Sequence, residues 1–372
     1  MNLVRAVSPR GVHFSVLLAQ DRPLASALRD LGAEVIVDGA VETLPRSLSP
    51  VRLAAHFRRA GRIAALIRGR CRRDGIRVVH CTHESAWTVL GQLRAPGVAR
   101  VASIHGLRFL TPPWAGRLNI RWLDRSTDRL ICVSETVRQA FLDAGVAAAK
   151  LDLVRSSVDL ARFRLDLSGA RVRAELSIAL DAPLIGAVGS IDERKGQEYF
   201  IDAAAEVATR HAALRAVIVG GPRPDGPPAQ VAYLAELRRR ASSLGLDGRL
   251  IFVPARPDIP DVMAALDVLV QPSLTEAGPR APLEAMAMAR PVVGTRVEGL
   301  AEEVVEGATG LLVPPRDARA LAAAIDTLLD DPARRARMGQ AGRARVERFY
   351  SLDTTAETVA ALYRDAANAH AG

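Results

Sequence analysis

One pattern constrains the fold of this chain more than any other. Short runs rich in Val, Ile and Leu recur along its whole length, each followed by a longer stretch of helical periodicity. In the second half the strand candidates are Leu184–Val188, Ala216–Val219, Leu250–Val253, Val268–Gln271, Pro291–Gly294 and Leu311–Val313. Helical patterns such as Gln197–Arg210 and Ala229–Ser243 separate them. The first half offers Val12–Leu18, Glu34–Val37, Arg77–His80, Arg100–Ile104, Leu130–Val133 and Asp152–Val154. Repeated β–α–β alternation predicts an α/β protein with parallel sheets covered on both faces. With 372 residues, of which 49% are hydrophobic, there is material for two such domains, each with its own core. The expected division is 1–165, 180–350 and a helical tail over 351–372. The tail follows a break at Tyr350-Ser351-Leu352, where Ser351 supplies an N-cap.

The three cysteines, Cys71, Cys81 and Cys132, are too few for a disulfide framework and lack zinc-ligand spacing. His80 and His83 flank Cys81, but no further ligands cluster with them. A reducing compartment and a cytoplasmic location follow as expectations. No apolar run reaches membrane-spanning length, and Val12–Ala19 is too short for a clear signal peptide. The net charge of +9 favours anionic partners: phosphates, acidic lipids or nucleic acid.

Two carboxylates, Glu276 and Glu284, stand in Pro272-Ser-Leu-Thr-Glu-Ala-Gly-Pro-Arg-Ala-Pro-Leu-Glu284, directly after the candidate strand ending at Gln271. This places Glu276 in a loop beyond a strand and Glu284 in the first turn of a helix reading from Pro282 to Ala289. In an open α/β sheet, ligands bind at that edge. Two acceptor-only groups there suit a ligand rich in hydroxyls.

The Glu pair, the Ala-Met-Ala that follows and the Pro-Val-Val strand together resemble family-4 retaining glycosyltransferases with the GT-B fold. The resemblance covers most of the chain, from about Asp21 onward. It implies two Rossmann-like, doubly wound domains facing a central cleft, the second binding a UDP- or GDP-sugar as substrate and the first presenting an acceptor. It implies that Glu276 reads donor-sugar hydroxyls and Glu284 holds the ribose. Val188-Gly-Ser-Ile-Asp-Glu-Arg-Lys-Gly196 matches the family's diphosphate loop. Lys195 takes the cation's place there, Ser190 stands where an Arg is usual, and Arg194 is a substitute cation. Gly278 and Gly299 would lie against the donor. His105, after the strand ending at Ile104, corresponds to a His near the transferred sugar. The catalytic set implied is His105, Glu276 and Lys195, with the leaving phosphate accepting the acceptor's proton. No cofactor and no metal are called for, because cations and helix N-termini serve the diphosphate.

The chain departs from this family at Ser190 and at Glu298, which replaces one Gly of a Gly-Gly loop. At the front, Val12–Ala19 reads as the family's second strand, and the Gly-rich loop that normally precedes it is not seen. A misplaced start is one explanation; a degenerate, non-catalytic nucleotide-sugar-binding protein is the competing one. Finally, Arg52–Arg77 carries Arg over most of a helix whose apolar face would be Leu53, Phe57, Ala60, Ala64 and Ile67. A solvated basic face packed on the sheet is the plainer reading. The sharper one is attraction to an anionic membrane or a lipid-diphosphate acceptor, with peripheral placement at the inner membrane face and a role in polysaccharide or glycolipid synthesis. Nucleic acid is set aside, because the stretch has almost no aromatics on which bases could stack.

Overall fold

The structure is a computed structural model that describes residues 2–20, 23–38, 50–83, 87–106, 113–222 and 228–370. It divides into two compact units, one formed by Met1–Arg155 with Leu352–Gly372, the other by Ser156–Ser351.

In the first unit the strands are β1 (Ser15–Leu18), β2 (Glu34–Val37), β3 (Val78–Cys81), β4 (Ala99–Ile104), β5 (Arg129–Cys132) and β6 (Leu151–Leu153). All pair in parallel, in a two-stranded sheet β1-β2 and a four-stranded sheet β3-β4-β5-β6. Alternate residues feed opposite faces. Ala102, Ile104, Leu130 and Cys132 pack beneath the helices Trp87–Gln92 and Pro113–Ser126. Val101 and Ile131 face Ala6 and Val7 of the first helix and Val359, Ala360 and Leu362 of the last. That last helix, Leu352–Asn368, is also held by polar contacts: His80 Nδ1 lies 2.6 Å from the Tyr363 hydroxyl, and Arg77 donates to the Ala367 carbonyl at 2.8 Å.

The second unit holds β7 (Leu184–Val188), β8 (Arg215–Val219), β9 (Leu250–Val253), β10 (Val268–Gln271), β11 (Val292–Thr295) and β12 (Gly310–Val313). They form one parallel sheet in the order β12-β11-β10-β7-β8-β9. Leu184, Val217, Leu269 and Val292 fill one core and Ile185, Ile218, Val270 and Val293 the other, as burial on both faces requires. The strand order reverses between β7 and β10. In a doubly wound sheet such a switch point opens a crevice at the carboxyl ends of the strands.

The expected first domain, 1–165, is ten residues too long, because 156–165 belongs to the second unit. Val158 bridges to Ser351, and Phe163 is buried in the core beside Val346 and Tyr350. The following segment is fastened there too. Arg173, 7% exposed, donates to the Ala265 carbonyl at 3.0 Å and pairs with Asp267 at 3.0 Å. On the basic helix, observed as Pro50–Asp74, Phe57 is 43% exposed and does not belong to the buried face. Ile63 takes that place with Ala60 and Ala64, against Val89 and Leu93.

Candidate functional site

The carboxyl ends of β7 and β10, on either side of the switch point, bring Lys195 and Glu276 together. Lys195 ends a single 3-10 turn, Glu193–Lys195, which Asp192 caps by accepting from the Arg194 N–H at 3.1 Å. Gly196 closes the turn with φ of 64°, and a Cβ there would lie 2.1 Å from the Pro272 carbonyl oxygen. Glycine is therefore required twice, for the left-handed backbone and for the contact between loops. The Leu274 N–H donates to the Arg194 carbonyl at 2.7 Å, sewing the Lys195 loop to the Glu276 loop. The Lys195 ammonium donates to Glu276 Oε1, a contact with both side chains at least three-quarters buried. The same oxygen accepts from Ser273 Oγ at 3.0 Å and from Gln271 Nε2 at 3.3 Å.

A third loop completes the arrangement. Gly299, in the short helix Glu298–Glu303, donates its N–H to the Glu276 carbonyl at 2.7 Å, and a Cβ there would lie 2.2 Å from the Ala277 oxygen. Glu298 turns its carboxylate toward the backbone of this loop, accepting from the Glu276 N–H at 3.4 Å and from Thr275 Oγ1 at 3.5 Å. The Gly278 carbonyl accepts from Ser156 Oγ at 3.4 Å.

Glu284 lies on the helix Arg280–Ala287, which starts two residues before the expected point. Its half-buried side chain makes no hydrogen bond or ion pair with the described residues. Burial raises its pKa, while Arg280 and Arg162 draw it down. Arg194 is folded back on Asp192, with Nε 3.1 Å from Oδ1 and Nη2 3.0 Å from Oδ2. Ser190 is half-buried after β7, and its carbonyl accepts from Gln197 Nε2 at 2.9 Å. In the first unit His105 is exposed just after β4, and 107–112, including Pro112, lies outside the described residues. His80, half-buried, is held between the Tyr363 hydroxyl and Ser103 Oγ, the latter at 2.7 Å. Its pKa is pushed down to about 4, chiefly by burial and then by the neighbouring charge of His105.

Sequence reasoning missed Ser273, Gln271 and Glu303. The first two sit within five residues of Glu276, a signal that was available. Glu303 had none, since it reads as a surface residue of a helix end. It is 4% exposed, and Oε2 has no hydrogen-bond partner. Burial, then the charges of Glu276 and Glu302, hold its pKa well above the usual carboxylate range against Arg345 and Lys195.

These loops present the Lys195 cation with the carboxylates of Glu276 and Glu284 at a switch point, a set suited to a diphosphate carrying hydroxyl-rich groups. The family profile "Glycosyl transferases group 1" matches residues 170–345, and "Glycosyltransferase Family 4" matches residues 1–162. The chain is 37% identical over 271 residues to D-inositol 3-phosphate glycosyltransferase of Kineococcus radiotolerans, covering 68% of this chain and 61% of that protein. To the protein of the same name from Acidothermus cellulolyticus it is 30% identical over 389 residues, covering 98% and 84%. In fold it is similar to Anabaena HepE, solved in complex with UDP-glucose, with a TM-score of 0.80 at 23% identity over 98% of this chain and 95% of that one.

Proposed function

The chain belongs to family 4 of the retaining glycosyltransferases, with the GT-B fold, and from that premise we propose that it moves a sugar from a UDP-sugar to a hydroxyl acceptor. The observation that carries this reading is the Lys195–Glu276 pair at the switch point. A cation and a sugar-reading carboxylate that are paired with one another have each to exchange partners when a donor binds. Lys195 turns to the diphosphate, where negative charge grows as the anomeric bond breaks. Glu276 turns to the sugar hydroxyls, with Ser273 and Gln271 orienting it. Glu284 takes the ribose, and backbone around Gly278 and Gly299 lies against the donor. Arg194 and Ser190 belong to the diphosphate loop, and His105 is assigned to the reacting carbon.

The C1–O bond to the diphosphate breaks and a C1–O bond to the acceptor forms on the same face. The acceptor's proton passes to the departing phosphate oxygen, so no enzyme nucleophile is consumed. UDP is favoured because HepE is solved with it. The acceptor is a glycan, a lipid-linked group or a small polyol; the named relatives act on D-inositol 3-phosphate. An anionic membrane engaged by the Arg52–Arg77 stretch is the proposed setting, at the inner face. No helix among the described residues is long and apolar enough to cross a membrane.

The test is release of nucleoside diphosphate from UDP- and GDP-sugars in the presence of inositol phosphate and glycolipid acceptors. Turnover that Glu276→Ala abolishes, with circular dichroism unchanged, supports the reading. Equal turnover by mutant and parent contradicts it. A folded parent that binds donor but never turns it over favours the non-catalytic alternative, for which Ser190 and Glu298 are the supporting residues.

A further inference from the structure

The helices Pro50–Asp74 and Pro113–Ser126 lie in the first unit on either side of the short helix Trp87–Gln92. Ala60, Ile63 and Ala64 of the long helix pack on Val89 and Leu93. Trp87 and Leu90 pack with Ile120 and Leu123 of the other. Right-handed crossovers put the helices that follow β3 and β4 on the same side of the sheet.

Their outward faces are not ordinary solvated faces. On Pro113–Ser126 the exposed residues away from Ile120 and Leu123 are Arg117, Leu118, Arg121 and Arg125, with Trp122 at the border of that face, one edge of its indole against Gly91. Leu118 is 61% exposed and Trp122 37%. The three arginines recur every fourth residue, and Leu118 and Trp122 sit beside them at the same spacing, so cation and apolar groups alternate along one stripe. The long helix adds Arg58, Arg62 and Arg72, with Val51 76% and Leu66 38% exposed. None of these six arginines has a hydrogen-bond or ion-pair partner among the described residues. Other arginines of the same unit do have partners: Arg70 pairs with Glu34 and Asp74, Arg100 with Asp128, and Arg129 with Asp152.

We infer that these two helices form one surface that seats on anionic bilayer headgroups, with Leu118 and Trp122 as apolar anchors among lipid-phosphate-binding arginines. Unpaired guanidinium groups match lipid phosphates in charge. Leu and Trp at the same level gain by entering the headgroup boundary, where an indole ring is well accommodated. A nucleic-acid groove would need several aromatic platforms, and this stripe offers one. The inference deepens the membrane reading of the long helix and stands apart from the sugar-transfer reading.

Sedimentation of the full chain with phosphatidylcholine vesicles, with or without phosphatidylglycerol, at low and high salt, tests it. The parent is expected to bind the anionic vesicles and to be largely released by salt. Arg117→Glu/Arg121→Glu/Arg125→Glu is expected to weaken binding by on the order of a hundredfold. Leu118→Ser/Trp122→Ser should remove the part that persists at high salt. Circular dichroism and UDP-sugar binding unchanged in all variants separate this outcome from misfolding and from failure of the donor-site reading. A parent that stays in solution with anionic vesicles overturns the proposal, as does a triple variant that binds like the parent. Loss confined to Arg58→Glu/Arg62→Glu overturns the shared surface and leaves the long helix as the only contact.

Discussion

The two units hold their candidate groups in different ways. In Ser156–Ser351 the backbone fixes them: Gly196 nearly touches Pro272, Gly299 nearly touches Ala277, and Lys195 and Glu276 meet between. In the first unit His105 stands exposed at a strand end, and the surface groups are side chains on helix faces. The first kind of site tolerates little change because a displaced loop moves several groups at once. The second kind is open to variation residue by residue.

The largest effect that would break this contrast is at the pair itself. Glu276→Ala and Lys195→Ala are each expected to lower turnover by about 10²–10³-fold, with folding intact, the range for removing one group that stabilises developing charge. Steady-state kinetics with circular dichroism checks it; a loss below tenfold would place the chemistry elsewhere. Gly299→Ala should act through backbone alone, destabilising the unit by about 1–3 kcal/mol from overpacking and weakening donor binding together. Denaturant melts and calorimetry would reveal it, and a neutral result would mean the loops are not held as closely as Gly299 requires.

Glu303 sharpens the comparison with a pH dependence. Its pKa is raised in the folded state, so the protonated form is favoured there. Its stabilising contribution is complete below the unfolded value of about 4.3 and is lost as pH rises toward the folded one. Glu303→Leu should therefore stabilise the chain by about 1–3 kcal/mol at alkaline pH, the scale for an unsatisfied buried polar group, and less in acid. Melting temperatures across pH decide; parallel curves for mutant and parent would contradict the burial argument. The smallest change is expected at His105→Ala. One lost hydrogen bond should lower turnover about tenfold while donor affinity holds. An equal loss of donor affinity would move His105 from the reacting carbon to the donor.

Much of the fold could be read from residues alone, because strands buried on both faces write themselves as apolar runs. β2, β7, β9 and β10 stand where the pattern placed them, and each of the other strands differs at one or both ends by one to three residues. The Glu276 and Lys195 loops were readable because loops at strand ends carry their own spacing. Less legible was anything decided by a distant partner. Residues 156–165 look like a first-domain tail until Val158 is seen to bridge Ser351. Arg194 reads as a free cation until Asp192 is found beside it. Phe57 follows helical spacing, yet the packing of Val89 and Leu93 turns Ile63 inward and leaves Phe57 outside. Glu303 is charged and beside Glu302, and only its three-dimensional position shows it to be buried.

The central claim is that Lys195 and Glu276 change partners when donor binds, and calorimetric titration with UDP and with UDP-glucose tests it most directly. The account predicts that the parent binds both. Lys195→Ala should lose most affinity for both, while Glu276→Ala should keep UDP and lose only the increment that glucose adds. Parent-like binding of UDP and UDP-glucose by Lys195→Ala and Glu276→Ala would contradict it.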